Sequence, residues 1–177
     1  VDINGSLHMM SSIYEGYNEN ASNLYRKLYD IVVSTDGTVS PEWISDLNTN
    51  PVSETDGAAI YGIGYSHRIQ AARSSDGSKV FAVWTDVNLE EFPESEVVDY
   101  PDIYSFGKNV QTGMVTGITN FTKWTDVEGT CYWMFTSPVT YDTENSYKLP
   151  TTISEAGNSE LLPMDHFYID GISFDND

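Results

Sequence analysis

The groups in this 177-residue chain that could do acid–base or electrostatic chemistry are three arginines, three histidines and 27 acidic side chains. Arginines brought to one face could together clamp a substrate carboxylate through paired N–H groups. Arg68 and Arg73, however, lie five apart in one predicted strand, where alternation sends them to opposite faces. Arg26 stands beside Lys27 in a polar segment, so the spacing argues against a shared clamp. Glycoside hydrolysis in general needs two carboxylates about 5–9 Å apart with divergent pKa values. The acids of this chain are too many and too dispersed for sequence to single out a pair, and they read as a solvated surface. His8, His67 and His166 have no ligand spacing around them and read as core or turn residues rather than zinc ligands. No G-x-S-x-G, H-E-x-x-H or Walker pattern occurs, and Gly62-Ile63-Gly64 lacks the rest of a dinucleotide fingerprint.

Two kinds of site survive this sorting. Oxygen-rich loops suit a hard cation such as Ca²⁺, and Asp142, Glu144 and Asn145 form the metal site expected here, with Asp2/Asn4 and Asp175/Asn176/Asp177 as further candidates. The alternative reading of each is turn chemistry. Aromatic side chains give the second kind, because a flat apolar ring with a polar edge stacks on sugars. Trp43 and Trp124, flanked by polar residues, are the expected ligand-binding positions, with Tyr14, Tyr17, Tyr61 and Tyr65 as possible neighbours. Trp84 and Trp133 end apolar runs and read instead as core.

These side chains need strands to hold them. Apolar residues come in bursts of four to eight between Gly, Asn, Asp, Ser and Pro clusters, which predicts an all-β chain. Strands are expected near Leu7–Ser12, Leu28–Ser34, Ala58–Ile63, Arg68–Arg73, Lys79–Trp84, Ile103–Lys108, Thr130–Thr136 and Phe167–Phe174. The best helical candidate, Glu19–Lys27, runs into the β-branched Ile31-Val32-Val33 and reads as a turn or strand entry. A formal charge of −19 excludes nucleic acid and anionic membrane as partners, since both are held by clustered Lys and Arg. No apolar stretch approaches the ~20 residues of a membrane-spanning helix. The lone Cys131 sits in an apolar run and reads as a buried, inert thiol.

Repetition decides among all-β architectures. Val1–Met10, Ser74–Trp84 and Thr125–Phe135 each place an Asp-opened, Gly-closed turn before an apolar strand. The intervals from Gly5 to Gly77 to Gly129 exceed the ~40–50 residues of a four-stranded propeller blade, so the units read as blades with loop insertions. The acidic stretch Asp86–Pro101 is expected to be one such insertion. Approximate units are 1–73, 74–124 and 125–177.

Asp2-Ile3-Asn4-Gly5-Ser6-Leu7-His8 resembles the strand-initiating D-x-N-G-x-x-H segment of secreted bacterial propellers, and Ser74–Phe81 resembles an Asp-box (BNR) turn. The latter departs from the box by placing Gly directly after Asp and Phe81 where Trp is usual. Pro101–Tyr104, Thr119–Thr122, Ser146–Pro150 and Asp165–Ile172 are similar to the last blades of propellers exported by the type IX route. The resemblance implies a secreted or cell-surface protein made of four-stranded antiparallel blades. Three units cannot close a ring of six to eight blades, so the expected whole is the C-terminal half of a longer propeller, needing further blades or a partner to cover its edges. Four compact blades closing on the N-terminus are the alternative. The expected role is binding of an extracellular glycan or protein. The rival readings are a sialidase-like glycoside hydrolase with most catalytic groups elsewhere, and a cargo module held by components of the secretion machinery.

Overall fold

The computed structural model describes residues 1–14, 26–49, 67–95, 98–154 and 166–175. Among them are strands and no helix, so the class is all-β as expected. The strands form three antiparallel sheets in chain order. The N-terminal sheet is β1 (Leu7–Tyr14), β2 (Arg26–Val33) and β3 (Val39–Asp46). The middle sheet is β4 (Gln70–Arg73), β5 (Lys79–Val87), β6 (Pro101–Asn109) and the short β7 (Thr119–Asn120). In the C-terminal sheet, β8 (Trp133–Thr136) and β9 (Tyr141–Asp142) pair with one edge of β10 (Ser146–Ser154), and β11 (His166–Asp175) with the other.

The middle sheet is covered on both faces, which explains why β5 reads as a continuous apolar run rather than an alternating one. Phe81 and Val83 face the C-terminal sheet and pack on Met134, Leu149 and Ile153. Ala82 and Trp84 point the other way, onto Leu28 and Ile44 of the N-terminal sheet. Each fully buried side chain of this kind contributes about 1.5–3 kcal/mol by leaving water. Gly107 in β6 makes one of these interfaces possible: a Cβ there would lie 3.1 Å from the Phe81 ring and 3.2 Å from that of Phe174. Without it the two rings pack tilted at 34° with their centroids 4.3 Å apart.

The sheets meet at their first strands, β1 beside β4 and β4 beside β8. At the first junction the Ile3 N–H donates to the Gly77 carbonyl at 2.8 Å. Gly77 has φ +76°, and a Cβ on it would come within 2.9 Å of the Ile3 nitrogen, so the contact demands glycine twice over. At the second junction Gln70 acts as a missing piece of ladder. Its amide nitrogen donates to the Met134 carbonyl at 2.6 Å and its oxygen accepts the Thr136 N–H at 2.9 Å. The Arg73 backbone adds bonds to Pro138 and from Thr140.

Several expectations are revised by this structure. Arg68 precedes β4 rather than lying within it, with φ +43°. The sequence boundary between residues 73 and 74 falls at the turn between β4 and β5. Asp86 and Val87 extend β5 and are buried, and Pro101 opens β6, so the acidic connection between these strands is shorter than Asp86–Pro101. β3 and β10 had no counterpart in the sequence reading. The expected strand Ala58–Ile63 and the segment around Glu19 lie outside the described residues. Among the described residues no helix is long and apolar enough to cross a membrane.

Candidate functional site

The loop after β7 is built on one carboxylate. Asp102 in β6 is fully buried, and it accepts from Asn120 Nδ2 at 2.7 Å, Thr122 Oγ1 at 2.9 Å and the Gly129 N–H at 2.9 Å. Thr122 Oγ1 also accepts the Ile103 N–H at 3.0 Å. These bonds tie both ends of the 120–129 segment to β6, so its middle is held as a rigid arch. Trp124 stands in that arch at φ +64°, a left-handed conformation that a bulky residue adopts only when its surroundings enforce it. The Trp124 N–H donates to Glu128 Oε2 at 3.0 Å, which fixes the turn, and the indole is 73% exposed.

Beside the arch lies a cleft of about 510 Å³ whose lining includes Asn48, Asn88, Asn120, Tyr104, Glu90 and Lys123. Lys123 ion-pairs with Glu90, and its ammonium sits 5.1 Å from the centre of the Trp124 ring. Asn88 donates to Glu128 Oε1 at 3.1 Å and Asn48 to the Val87 carbonyl at 2.8 Å, so both amides are held in place. Burial, together with the carboxylates of Asp86 and Asp102, pushes the Tyr104 phenol up, so it stays a neutral donor and acceptor at all working pH values. The site therefore sets a flat, presented indole beside a cleft walled by fixed amides and a phenol.

No family model, curated protein or solved structure matches the chain.

Behind the cleft, between the N-terminal and middle sheets, is a buried ionisable pair. Asp86 is 1% exposed and accepts from the Asn48 N–H at 2.6 Å, Thr49 Oγ1 at 2.6 Å and the Val87 N–H at 2.9 Å. His67, 2% exposed, places Nε2 3.7 Å from Asp86 Oδ1, beyond hydrogen-bond reach, and this nitrogen has no hydrogen-bond partner. Burial pushes the Asp86 carboxyl up to about 6. Burial, helped by the Arg26 charge, pushes His67 down to about 4. The imidazole is therefore neutral at pH 7. A second pocket of about 390 Å³ opens between the middle and C-terminal sheets, with Lys79, Lys108, Phe81, Tyr147 and Phe174 in its wall.

The two tryptophans singled out by sequence are both exposed but serve different surfaces. Trp124 lies beside the cleft, whereas Trp43 is on the solvent face of β3, 58% exposed, with its Nε1–H 3.4 Å from Asp46 Oδ1. Trp84 is core, stacked on Tyr104, and Trp133 lies under the Arg68 guanidinium. Cys131 is fully buried. The Asp142 carboxylate takes hydrogen bonds from Ser75 and Thr140, joining the β4–β5 turn to the C-terminal sheet, while Glu144 and Asn145 are exposed. Asp2 caps its own turn through the Asn4 and Ser6 N–H groups and contacts His8, whose other nitrogen lies 2.6 Å from Asp30. Burial disfavours the His8 cation, but the two carboxylates outweigh it and raise its pKa. Among the described residues no group of three His, Cys, Asp or Glu is placed to hold a metal. The side chain of Asp175, residues 176–177, Tyr17, Tyr61 and Tyr65 lie outside the described residues. Sequence reasoning missed Asp102, Asn88 and Asn120 because their roles depend on partners that only the fold brings together.

Proposed function

We propose that this chain is a set of β-propeller-type blades that binds a neutral extracellular glycan, with Trp124 as its stacking platform and the adjoining amide-lined cleft as its specificity surface. The observation that carries this reading is the exposed indole held at φ +64° by an arch anchored on buried Asp102. A strained, presented aromatic is kept only where the surroundings over-determine it, and such positions cluster at ligand sites. The blade reading is supported by three antiparallel meanders that meet at their first strands. A neutral ligand follows from the charge, because a −19 surface repels acidic sugars at long range. Export to the cell surface, as the sequence resemblance implies, belongs to the same proposal.

Titration calorimetry against a panel of neutral and acidic oligosaccharides tests it. A neutral glycan should bind to the wild type, and Trp124→Ala should weaken that binding about tenfold, the worth of one good stacking contact. Trp43→Ala should leave it unchanged. Absence of binding across the panel, or equal affinity in Trp124→Ala, overturns the proposal. Release of reducing ends during the titration would favour the hydrolase reading instead.

A further inference from the structure

Among the described residues the middle sheet has a neighbour on each face, and each outer sheet has one on a single face. On the solvent face of the N-terminal sheet the register aligns Leu7, Val33 and Val39 in one row and Met9, Ile31 and Pro41 in the next, with Trp43 in the third. None of these side chains carries a charge, and the face ends in the Lys27–Asp46 pair. On the far face of the C-terminal sheet, Phe135, Thr152 and Tyr168 form one row and Tyr141 stands opposite Lys148 in another. Phe135, Tyr168 and Tyr141 are 60%, 64% and 67% exposed. A contiguous apolar face on the N-terminal sheet, and an aromatic-rich face beside Lys148 on the C-terminal sheet, mark association surfaces on a chain of −19 charge.

We infer that a second copy of the chain covers both. The N-terminal sheet of each protomer stacks on the C-terminal sheet of the other, and two three-sheet sets close into one ring of six. This rests on the blade reading of the sheets and is independent of the glycan cleft. The contact required is the one the chain already makes twice within itself, sheet face on sheet face, with first strands adjacent. Since β1, β4 and β8 lie side by side, closure needs only that β8 of one protomer come alongside β1 of its partner.

Area favours the closed ring over an open chain of copies. The N-terminal sheet has three strands of eight residues. With strands about 4.8 Å apart and a rise of about 3.4 Å per residue, one face covers about 400 Å². A single head-to-tail contact would bury about 800 Å² in total, the level of a crystal contact, whereas closing both contacts buries about 1,600 Å², a standard stable interface. The acids among the described residues lie largely outside these faces, so they oppose association only at long range, and salt, which screens them, should tighten the dimer.

Light scattering coupled to size exclusion, across protein concentration and at about 50 and 500 mM NaCl, tests this. The 19.8 kDa chain should run at twice its mass, with dissociation shifted to lower concentration in high salt. Met9→Lys and Val39→Lys on one face, and Phe135→Lys and Tyr168→Lys on the other, should each give monomers, because every protomer uses both faces. These sites are solvent-exposed in the monomer, and each substitution lowers the net negative charge, so lost association would not reflect added repulsion. Mixing a variant of one face with a variant of the other restores only one of the two contacts and should leave monomers. The inference is overturned by a wild type that is monomeric, its faces then being covered by other chain or another partner. It is equally overturned by a mass that climbs past two copies, or by a dimer that survives substitution of either face.

Discussion

Removing the His67 imidazole should make the protein gain stability relative to the wild type as the pH falls. Below the ordinary histidine pKa of 6.5 the unfolded chain takes up a proton that the folded His67, held down to about 4, refuses. A depressed histidine therefore withdraws stability as pH falls through this window, by about 1 kcal/mol at pH 5.5 and about 3 kcal/mol at pH 4. Asp86 works in the opposite sense. Its folded pKa is raised from 3.8 to about 6, so the folded state takes up its proton first on acidification and gains about 2 kcal/mol by pH 4. In the wild type the two nearly cancel. In His67→Gln, which keeps a donor for the Thr49 backbone, only the Asp86 contribution remains. The stability difference, variant minus wild type, should rise by about 3 kcal/mol between pH 7 and pH 4. Urea unfolding followed by tryptophan fluorescence at half-unit pH steps measures it, and His8 and the exposed acids drop out of the difference. A difference that stays constant within about 0.5 kcal/mol over this range would refute the burial argument for His67.

The same reasoning gives further outcomes. Trp124→Gly should raise stability by about 0.5–1 kcal/mol, by relieving the left-handed conformation, while weakening the proposed glycan binding about tenfold, as Trp124→Ala does; calorimetry for ligand and urea midpoints for stability check the pair of effects. Asp102→Ala leaves three donors without their acceptor and should cost about 3–5 kcal/mol, measured by urea unfolding, with the Trp124 arch lost even in the molecules that fold. Gly107→Val should destabilise by about 1–3 kcal/mol by driving apart the Phe81 and Phe174 rings, seen as a lower thermal midpoint and altered near-ultraviolet dichroism. Cys131 should resist a thiol reagent in the native protein and react at once in urea.

What could be read from the sequence was whatever depends on near neighbours along the chain. The β5 run is dense enough in apolar residues to declare itself, and Gly5, Gly77 and Gly129, read as turn closers, all have positive φ. β3 escaped because its solvent face carries Val39, Pro41 and Trp43 between polar residues, with a proline tolerated there because the strand lies at a sheet edge. β10 escaped because Pro150 interrupts its pattern at the point where a bulge shifts the register between Leu149 and Thr151. Asp86 reads from sequence as a solvated acid because its partners, Asn48 and Thr49, lie 38 and 37 residues away. Trp124 was legible as an exposed aromatic, but the cleft beside it was not, since Asn48, Asn88 and Asn120 come from different sheets and loops. Asp142 illustrates the limit of composition: an acid in an oxygen-rich loop, with its carboxylate held by Ser75 and Thr140.

The double coverage of the middle sheet also sets the order in which the molecule comes apart. Among the described residues the two outer sheets pack on opposite faces of the middle one, so each can open alone, but β5 and β6 lose cover on both faces only when both neighbours have left. Amide hydrogens in Val80–Trp84 should then exchange only through global unfolding, with those of β1 and β11 escaping through smaller openings. An excised middle sheet would present apolar surface on both sides and would have no stable existence of its own, which makes it the part of the chain most in need of its neighbours during synthesis.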